Sequence, residues 1–158
     1  MSMTRMIWTA AAVFAVDQLS KFLVVQVMDL RSVGTIDVFP PFLTFRMAWN
    51  QGVNFGLFSN DAQAMRWILI AIAVLIATWV AVWVRKEQSG KLAQTAAGLL
   101  IGGAAGNVAD RLIYGAVADF LNMSCCGIDN PFAFNVADAA IFAGALGLIF
   151  FTGGKKAA

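Results

Sequence analysis

Four aspartates, Asp17, Asp110, Asp119 and Asp138, stand in or beside long apolar stretches of this chain, with two basic residues, Lys21 and Arg111, among them. Ionisable groups in such surroundings are costly enough that each is a functional hypothesis. Asp17 and Lys21 are four residues apart, as are Asn107 and Arg111, with Asp110 three beyond Asn107, so each set shares a helical face. For Asp17, Lys21, Asp110 and Arg111 the favoured reading is a set of polar ties between helices rather than direct chemistry. Asp138 has no basic residue within one helical turn, and Asp119 lies in an otherwise apolar stretch, residues 115–120. Lacking local partners, these two can find each other. Two carboxylates sharing a site cannot both ionise cheaply, which leaves an acid and a base together. The base can polarise a water for attack on a carbonyl while the protonated partner donates to the developing oxyanion. Spacing alone also permits a proton relay or a cation site, since either would put acids inside a bundle.

The remaining composition removes other chemistries. None of the 158 residues is histidine, which excludes Ser-His-Asp and Cys-His triads, histidine-held zinc and haem on a proximal His. Cys125 and Cys126 are adjacent, a spacing that rarely bridges and that no histidine completes into a metal site, so they are read as incidental. No metal and no other cofactor is expected. A net charge of +2, from 11 basic and 9 acidic residues, gives no reason to expect a nucleic-acid partner.

The elements that must position these acids follow from hydropathy. With 60% hydrophobic residues, 13% charged and a mean hydropathy of +0.76, the composition is that of a membrane protein. Apolar runs at about 6–26, 67–84, 92–112 and 134–152 would each reach roughly 27–32 Å, enough to cross a hydrocarbon core. The first carries Asp17 and Lys21 and lacks a small-x-small exit site, so it is read as a retained helix and not a cleaved signal. Arg5, Arg85, Lys86, Lys91, Lys155 and Lys156 flank one side with Glu87 as its only acid, which makes that side, and both termini, cytoplasmic. The outer connections, 27–66 and 113–133, are much longer than the inner turn at 85–91, so function is expected outside. Residues 42–49 alternate with period two after Pro40-Pro41, and with residues 35–39 they suggest a small sheet on the membrane surface; an apolar loop dipping into the headgroups fits equally. The expected fold is an all-α membrane protein, 1–158 as one unit, with four transmembrane helices and a small extracytoplasmic β-sheet within about 29–58.

In that frame Asn107, Asp110, Arg111, Asn135 and Asp138 lie near the outer ends of the third and fourth helices, Asp138 about 6 Å and Asp17 about 14 Å deep. The second helix, uncharged between Arg66 and Arg85, faces lipid. Gly98, Gly102 and Gly106 on the third helix, with Gly103 beside them, and Ala139, Ala143 and Gly147 on the fourth let those two helices approach closely. A small transporter is the main rival reading, but the halves show no internal match. A noncatalytic scaffold would leave the outward clustering of Asp119 and Asp138 unexplained.

The ordered set of motifs resembles the bacterial lipoprotein signal peptidases, or signal peptidase II. The matching residues are Asp17-Gln18-Leu19-Ser20-Lys21, Asn50-Gln51-Gly52 before Phe55, Gly102-Gly103-Ala104-Ala105-Gly106-Asn107-Val108-Ala109-Asp110-Arg111, Ala118-Asp119-Phe120 and Phe134-Asn135-Val136-Ala137-Asp138-Ala139. Each is weak singly; in order along nearly the whole chain they are specific. The resemblance implies an inner-membrane aspartyl endopeptidase that cuts diacylglyceryl-modified prolipoproteins on the amino side of the lipidated cysteine. It implies Asp119 and Asp138 as the catalytic pair and Asn50, Gly52, Asn107, Arg111 and Asn135 as residues that shape or contact the substrate site. Asp17, Lys21 and Asp110 match positions read as supporting. Its partners would be the lipidated substrate and membrane lipid, with no oligomer expected. One departure is Asn54, where the family tends to have a small residue.

Overall fold

The computed structural model describes residues 3–52, 62–87, 89–127 and 130–152. Helix α1 (Thr4–Lys21) continues into a six-residue π-helix (Phe22–Val27), followed by a short α2 (Leu30–Val33) and strands β1 (Thr35–Phe39) and β2 (Leu43–Asn50). Helices α3 (Ala62–Lys86) and α4 (Lys91–Tyr114), strand β3 (Val117–Met123) and helix α5 (Val136–Thr152) complete the order. Three helical segments, Thr4–Val27, Gln63–Lys86 and Lys91–Tyr114, are 24 residues long and apolar enough to cross a membrane. Helix α5 is equally apolar in character but has 17 residues, at the lower end of the spanning range of about 17–25. The molecule is therefore a mostly helical membrane protein with three to four membrane-capable helices. Asn54 and Phe55 of the Asn-x-Gly segment, and Lys155 and Lys156, lie outside the described residues.

The expected two-strand sheet has a third member. Strands β1, β2 and β3 pair antiparallel in that order, with Thr35 opposite Arg46, Leu43 opposite Met123 and Asn50 opposite Val117. Period-two alternation marked β1 and β2 because both are partly exposed. Strand β3 is buried from Val117 to Phe120 and has no alternation to reveal it. Beneath the sheet Val24, Val25, Leu30, Ala118 and Phe120 form one apolar cluster, and Phe45 meets the Phe120 ring edge-on at 5.7 Å. A second cluster, including Met6, Val80, Val84, Leu100 and Leu148, joins the helices at the other end.

Helix α4 is packed between α1 and α5, and its glycines show how. A methyl group on Gly98 would lie 2.6 Å from Thr9 Cβ, and one on Gly102 would lie 2.5 Å from the Ala10 carbonyl oxygen, both on α1. Gly103 instead abuts Ala137 and Ile141 on α5, where Gly144 meets the Ala96 carbonyl in return. This corrects the expected pairing in part: the row Gly98-Gly102 seats α1, and α5 approaches α4 through Gly103, Ala137, Ala140 and Gly144 and, as expected, through Gly147 against Ala96, while Ala139 and Ala143 are exposed. Helix α3 packs mainly against α4, and Trp67, Leu75 and Trp79 are exposed. At the end of α4, Gly115 adopts φ +82 and its N–H donates to the Arg111 carbonyl, turning the chain into β3.

Candidate active site

Strand β3 and the start of α5 converge beside the outer half of α4. Asp119, in mid-strand, is 3% exposed; its Oδ1 accepts from Asn135 Nδ2 at 2.6 Å and its Oδ2 from Asn50 Nδ2 at 3.0 Å. Asn135 stands immediately before α5 and is part of a reciprocal cap. The Asp138 N–H donates to Asn135 Oδ1 at 2.8 Å, and the Asn135 N–H donates to Asp138 Oδ2 at 3.3 Å. That is a capping box with asparagine and aspartate in its two roles, and the Asn-x-x-Asp spacing is its legible signal. Asp138 Oδ1 accepts from Asn107 Nδ2 at 2.8 Å, and Asn107 Oδ1 accepts from Asn135 Nδ2 at 3.2 Å. The two carboxylates are thus connected through two asparagine amides that brace each other. Contrary to the expectation that Asp138 lacks a local partner, the cap supplies one three residues away.

Gly52 explains the third asparagine. Its N–H donates to Asn50 Oδ1 at 2.9 Å, which fixes that side chain so that its NH₂ faces Asp119. Gly52 has φ +103, a region costly for other residues, and an added methyl would lie 2.5 Å from Leu69 Cδ1. Arg111 donates to the Asn107 carbonyl at 3.5 Å and lies within electrostatic reach of Asp138 and Asp119. The Asp119 carboxyl is raised from 3.8 to about 6, by burial first and by the negative charge of Asp138 second; hydrogen bonds from Asn50 and Asn135 and the charge of Lys21 act against this.

The supporting residues form a separate cluster one layer deeper. Lys21 Nζ contacts Asp17 Oδ2 at 2.8 Å and Asp110 Oδ2 at 2.7 Å, and these are the ion pairs found among the described residues. Arg111, expected to share in such ties, is in neither. Gln18 Nε2 donates to Asp17 Oδ2 at 3.0 Å and to Asp110 Oδ1 at 3.1 Å, a role the spacing of charged residues did not suggest although Gln18 lies inside the motif. The remaining oxygens reach backbone: Asp17 Oδ1 accepts from the Ala137 N–H at 2.9 Å, and Asp110 Oδ2 from the Ala118 N–H at 3.1 Å.

An apolar groove of about 220 Å³ between α3, α4 and α5 has Leu69, Ile72, Ile76 and Ile141 on its walls and Asn107 and Arg111 at its polar end. A larger one of about 320 Å³, on the other side of the α3–α4 contact, carries no ionisable side chain. No group of three or more metal-ligating His, Cys, Asp or Glu residues occurs among the described residues.

Residues 9–152 match the family model described as signal peptidase (SPase) II. A lipoprotein signal peptidase of Methylobacterium sp. (strain 4-46) is 40% identical over 141 residues, covering 89% of this chain and 84% of that protein. One from Alteromonas mediterranea is 39% identical over 156 residues, covering 96% and 84% respectively. A solved structure of a bacterial membrane enzyme, obtained by the in meso method at 1.9 Å, superposes with a TM-score of 0.79 at 27% identity, over 96% of this chain and 94% of its own.

Proposed function

The chain belongs to the signal peptidase II family, and on that premise we propose that it is a lipoprotein signal peptidase of the aspartic type, with Asp119 and Asp138 as its catalytic pair. The substrate is a diacylglyceryl-modified prolipoprotein, cut on the amino side of the lipidated cysteine. Four spans, with both termini cytoplasmic, put the pair near the periplasmic face of the inner membrane. The protein acts without a resident cofactor and without a second copy. The observation that carries this reading is the amide-linked carboxylate pair held by Asn107, which with Arg111 lines the polar part of an apolar groove.

Asp119, already pushed up to about 6 by burial, is the member suited to hold the shared proton. A bound apolar substrate removes more water and raises it further. Asp138 then draws a proton from water as the water oxygen attacks the scissile carbonyl, and Asp119 donates to the developing oxyanion. Collapse breaks the C–N bond: Asp138 passes its proton to the departing cysteine amine, a hydroxyl of the intermediate returns a proton to Asp119, and the signal peptide leaves as a carboxylic acid. Arg111 and the three asparagines hold the charge and orientation of the pair throughout. The groove receives the apolar signal segment, and the surface sheet covers the site from outside and limits water.

The test is incubation of the purified protein with diacylglyceryl-prolipoprotein, followed by mass spectrometry. Release of the intact signal peptide and a lipidated product beginning at cysteine is expected. A substrate left whole, or cut elsewhere, would overturn the proposal.

A further inference from the structure

Each carboxylate of the deeper cluster grips the main chain one residue before a member of the aspartate pair. Asp17 holds the N–H of Ala137, which precedes Asp138, and Asp110 holds the N–H of Ala118, which precedes Asp119. The two grips come from different helices, and the Lys21 ammonium lies between them, 2.8 Å from one carboxylate and 2.7 Å from the other. Gln18 spans the same two carboxylates. Ala118 and Ala137 are 1% and 0% exposed, so neither amide can turn to water if its acceptor moves. Gly106 leaves room for this arrangement, since a methyl there would lie 2.5 Å from Asp17 Oδ2.

We propose that Lys21 is a positioning residue for the reaction: by clamping Asp17 to Asp110 it fixes the separation of strand β3 and helix α5, and with it the spacing of Asp119 and Asp138. The proposal rests on the catalytic assignment above. It revises the expectation that Asp17 and Lys21 only support the bundle, because depth alone does not measure their reach. Removing the ammonium leaves two buried carboxylates facing each other. Their repulsion drives them apart, and one backbone grip is lost. Substrate binding, which occurs along the groove, is not touched, whereas misplacement of reacting groups by about 1 Å can cost on the order of a hundredfold in rate.

There is also an electrostatic consequence. The charged groups acting on Asp119 are Asp138 on α5, which raises its proton affinity, and Lys21 on α1, which lowers it, with Arg111 on α4 close to both aspartates. Loss of the Lys21 charge therefore moves the proton-dependent limb assigned to Asp119 to higher pH.

The experiment compares wild type, Lys21→Met, Lys21→Arg, Asp17→Asn and Asp110→Asn, with the folded fraction of each measured in detergent. Wild type must cleave lipidated substrate and Asp119→Asn must not; failure there refutes the catalytic assignment, and the positioning role with it, and is distinguished by this control from a failure of the positioning role alone. Given that control, Lys21→Met should lose about tenfold to a hundredfold in kcat per folded molecule with KM within about threefold, and its pH profile should shift upward. Lys21→Arg, which keeps the charge, should restore the pH profile and part of kcat. If Lys21→Met does not fold, the isosteric Asp17→Asn and Asp110→Asn carry the same kcat test. Unchanged kcat per folded molecule in these variants, with only thermal stability reduced, would overturn the proposal.

Discussion

Two carboxylate pairs lie a layer apart in one bundle, and they differ in what stands between their members. Between Asp17 and Asp110 is an ammonium, with every carboxylate oxygen engaged by a cation, an amide side chain or a backbone N–H. Between Asp119 and Asp138 are the neutral amides of Asn135 and Asn107, which orient both carboxylates and cancel neither charge. The Asp119 carboxyl is pushed up to about 6, by burial first and by the negative charge of Asp138 second, with the amides acting against the rise. The same residue type thus stands against a cation in one cluster and against neutral amides and a second carboxylate in the other.

The contrast breaks most sharply if the reactive pair is neutralised. Asp119→Asn or Asp138→Asn should lower kcat by at least about a thousandfold, in the range general acid–base groups supply, while the protein still folds and inserts. Near-normal turnover by either would erase the distinction between the clusters. Next in size is the lipid: substrate whose lipobox cysteine is replaced by serine, and so carries no acyl chains, should be cleaved at least about a hundredfold more slowly. At about 0.8 kcal/mol per buried methylene, a few lost contacts suffice, and remote binding energy also positions the scissile bond. Equal rates in a matched detergent assay would leave a peptidase of a different substrate class.

Gly52→Ala probes the amide side of the comparison. It strains a backbone at φ +103 and collides with Leu69, so Asn50 loses its fixed orientation toward Asp119. About tenfold to a hundredfold lower kcat/KM is expected, from a strain of the order of 1–3 kcal/mol. Full activity would mean that Asn50 needs no such bracing.

A smaller effect concerns stability. The Asp119 carboxyl binds its proton more tightly folded, at about 6, than at its ordinary 3.8. Its contribution is therefore complete below about pH 4 and is lost as pH rises through 6. Above that, the ionised form burdens the fold, and Asp119→Asn should raise the thermal midpoint by about one to three degrees at pH 8 and by less at pH 4. A midpoint difference independent of pH would show that the proton is not in play. Smallest of all, chelators should leave cleavage unchanged, and activity lost to a chelator and restored by added metal would replace the two-acid chemistry with another.

Much of this contrast was legible in sequence, and the limits have physical causes. Asp17 with Lys21, and Asp110 with Asn107 and Arg111, share helical faces, so their clustering follows from periodicity. That no basic residue lies within one helical turn of Asp138 follows from simple inspection, but that Arg111 comes within electrostatic reach of it from α4 does not. The tie from Asp17 to Ala137 could not be seen, because its ends are 120 residues apart and one is a main-chain amide that every residue possesses. Strand β3 was missed because burial on both faces removes alternation. The glycines of α4 signalled close packing, yet their spacing could not say that Gly102 faces α1 and Gly103 faces α5.

The wide turn at the outer end of the first helix also carries a consequence. The Met28 N–H reaches back five residues to the Leu23 carbonyl, so Phe22–Val27 holds more residues per turn than the helix below it. A one-residue change of length here amounts to a rotation of about 100° in the direction the chain leaves the membrane. Lys21 is below that point and keeps its place against α4; Leu30, wholly buried under the sheet, is above it. The segment thus acts as a phase adjuster between two parts of the molecule that require different orientations. Substitution of Phe22 or Leu23, whose side chains are exposed, should be tolerated, whereas deletion of a single residue should turn the sheet off its seat and break the hydrogen bond from Gln26 to the Tyr114 hydroxyl.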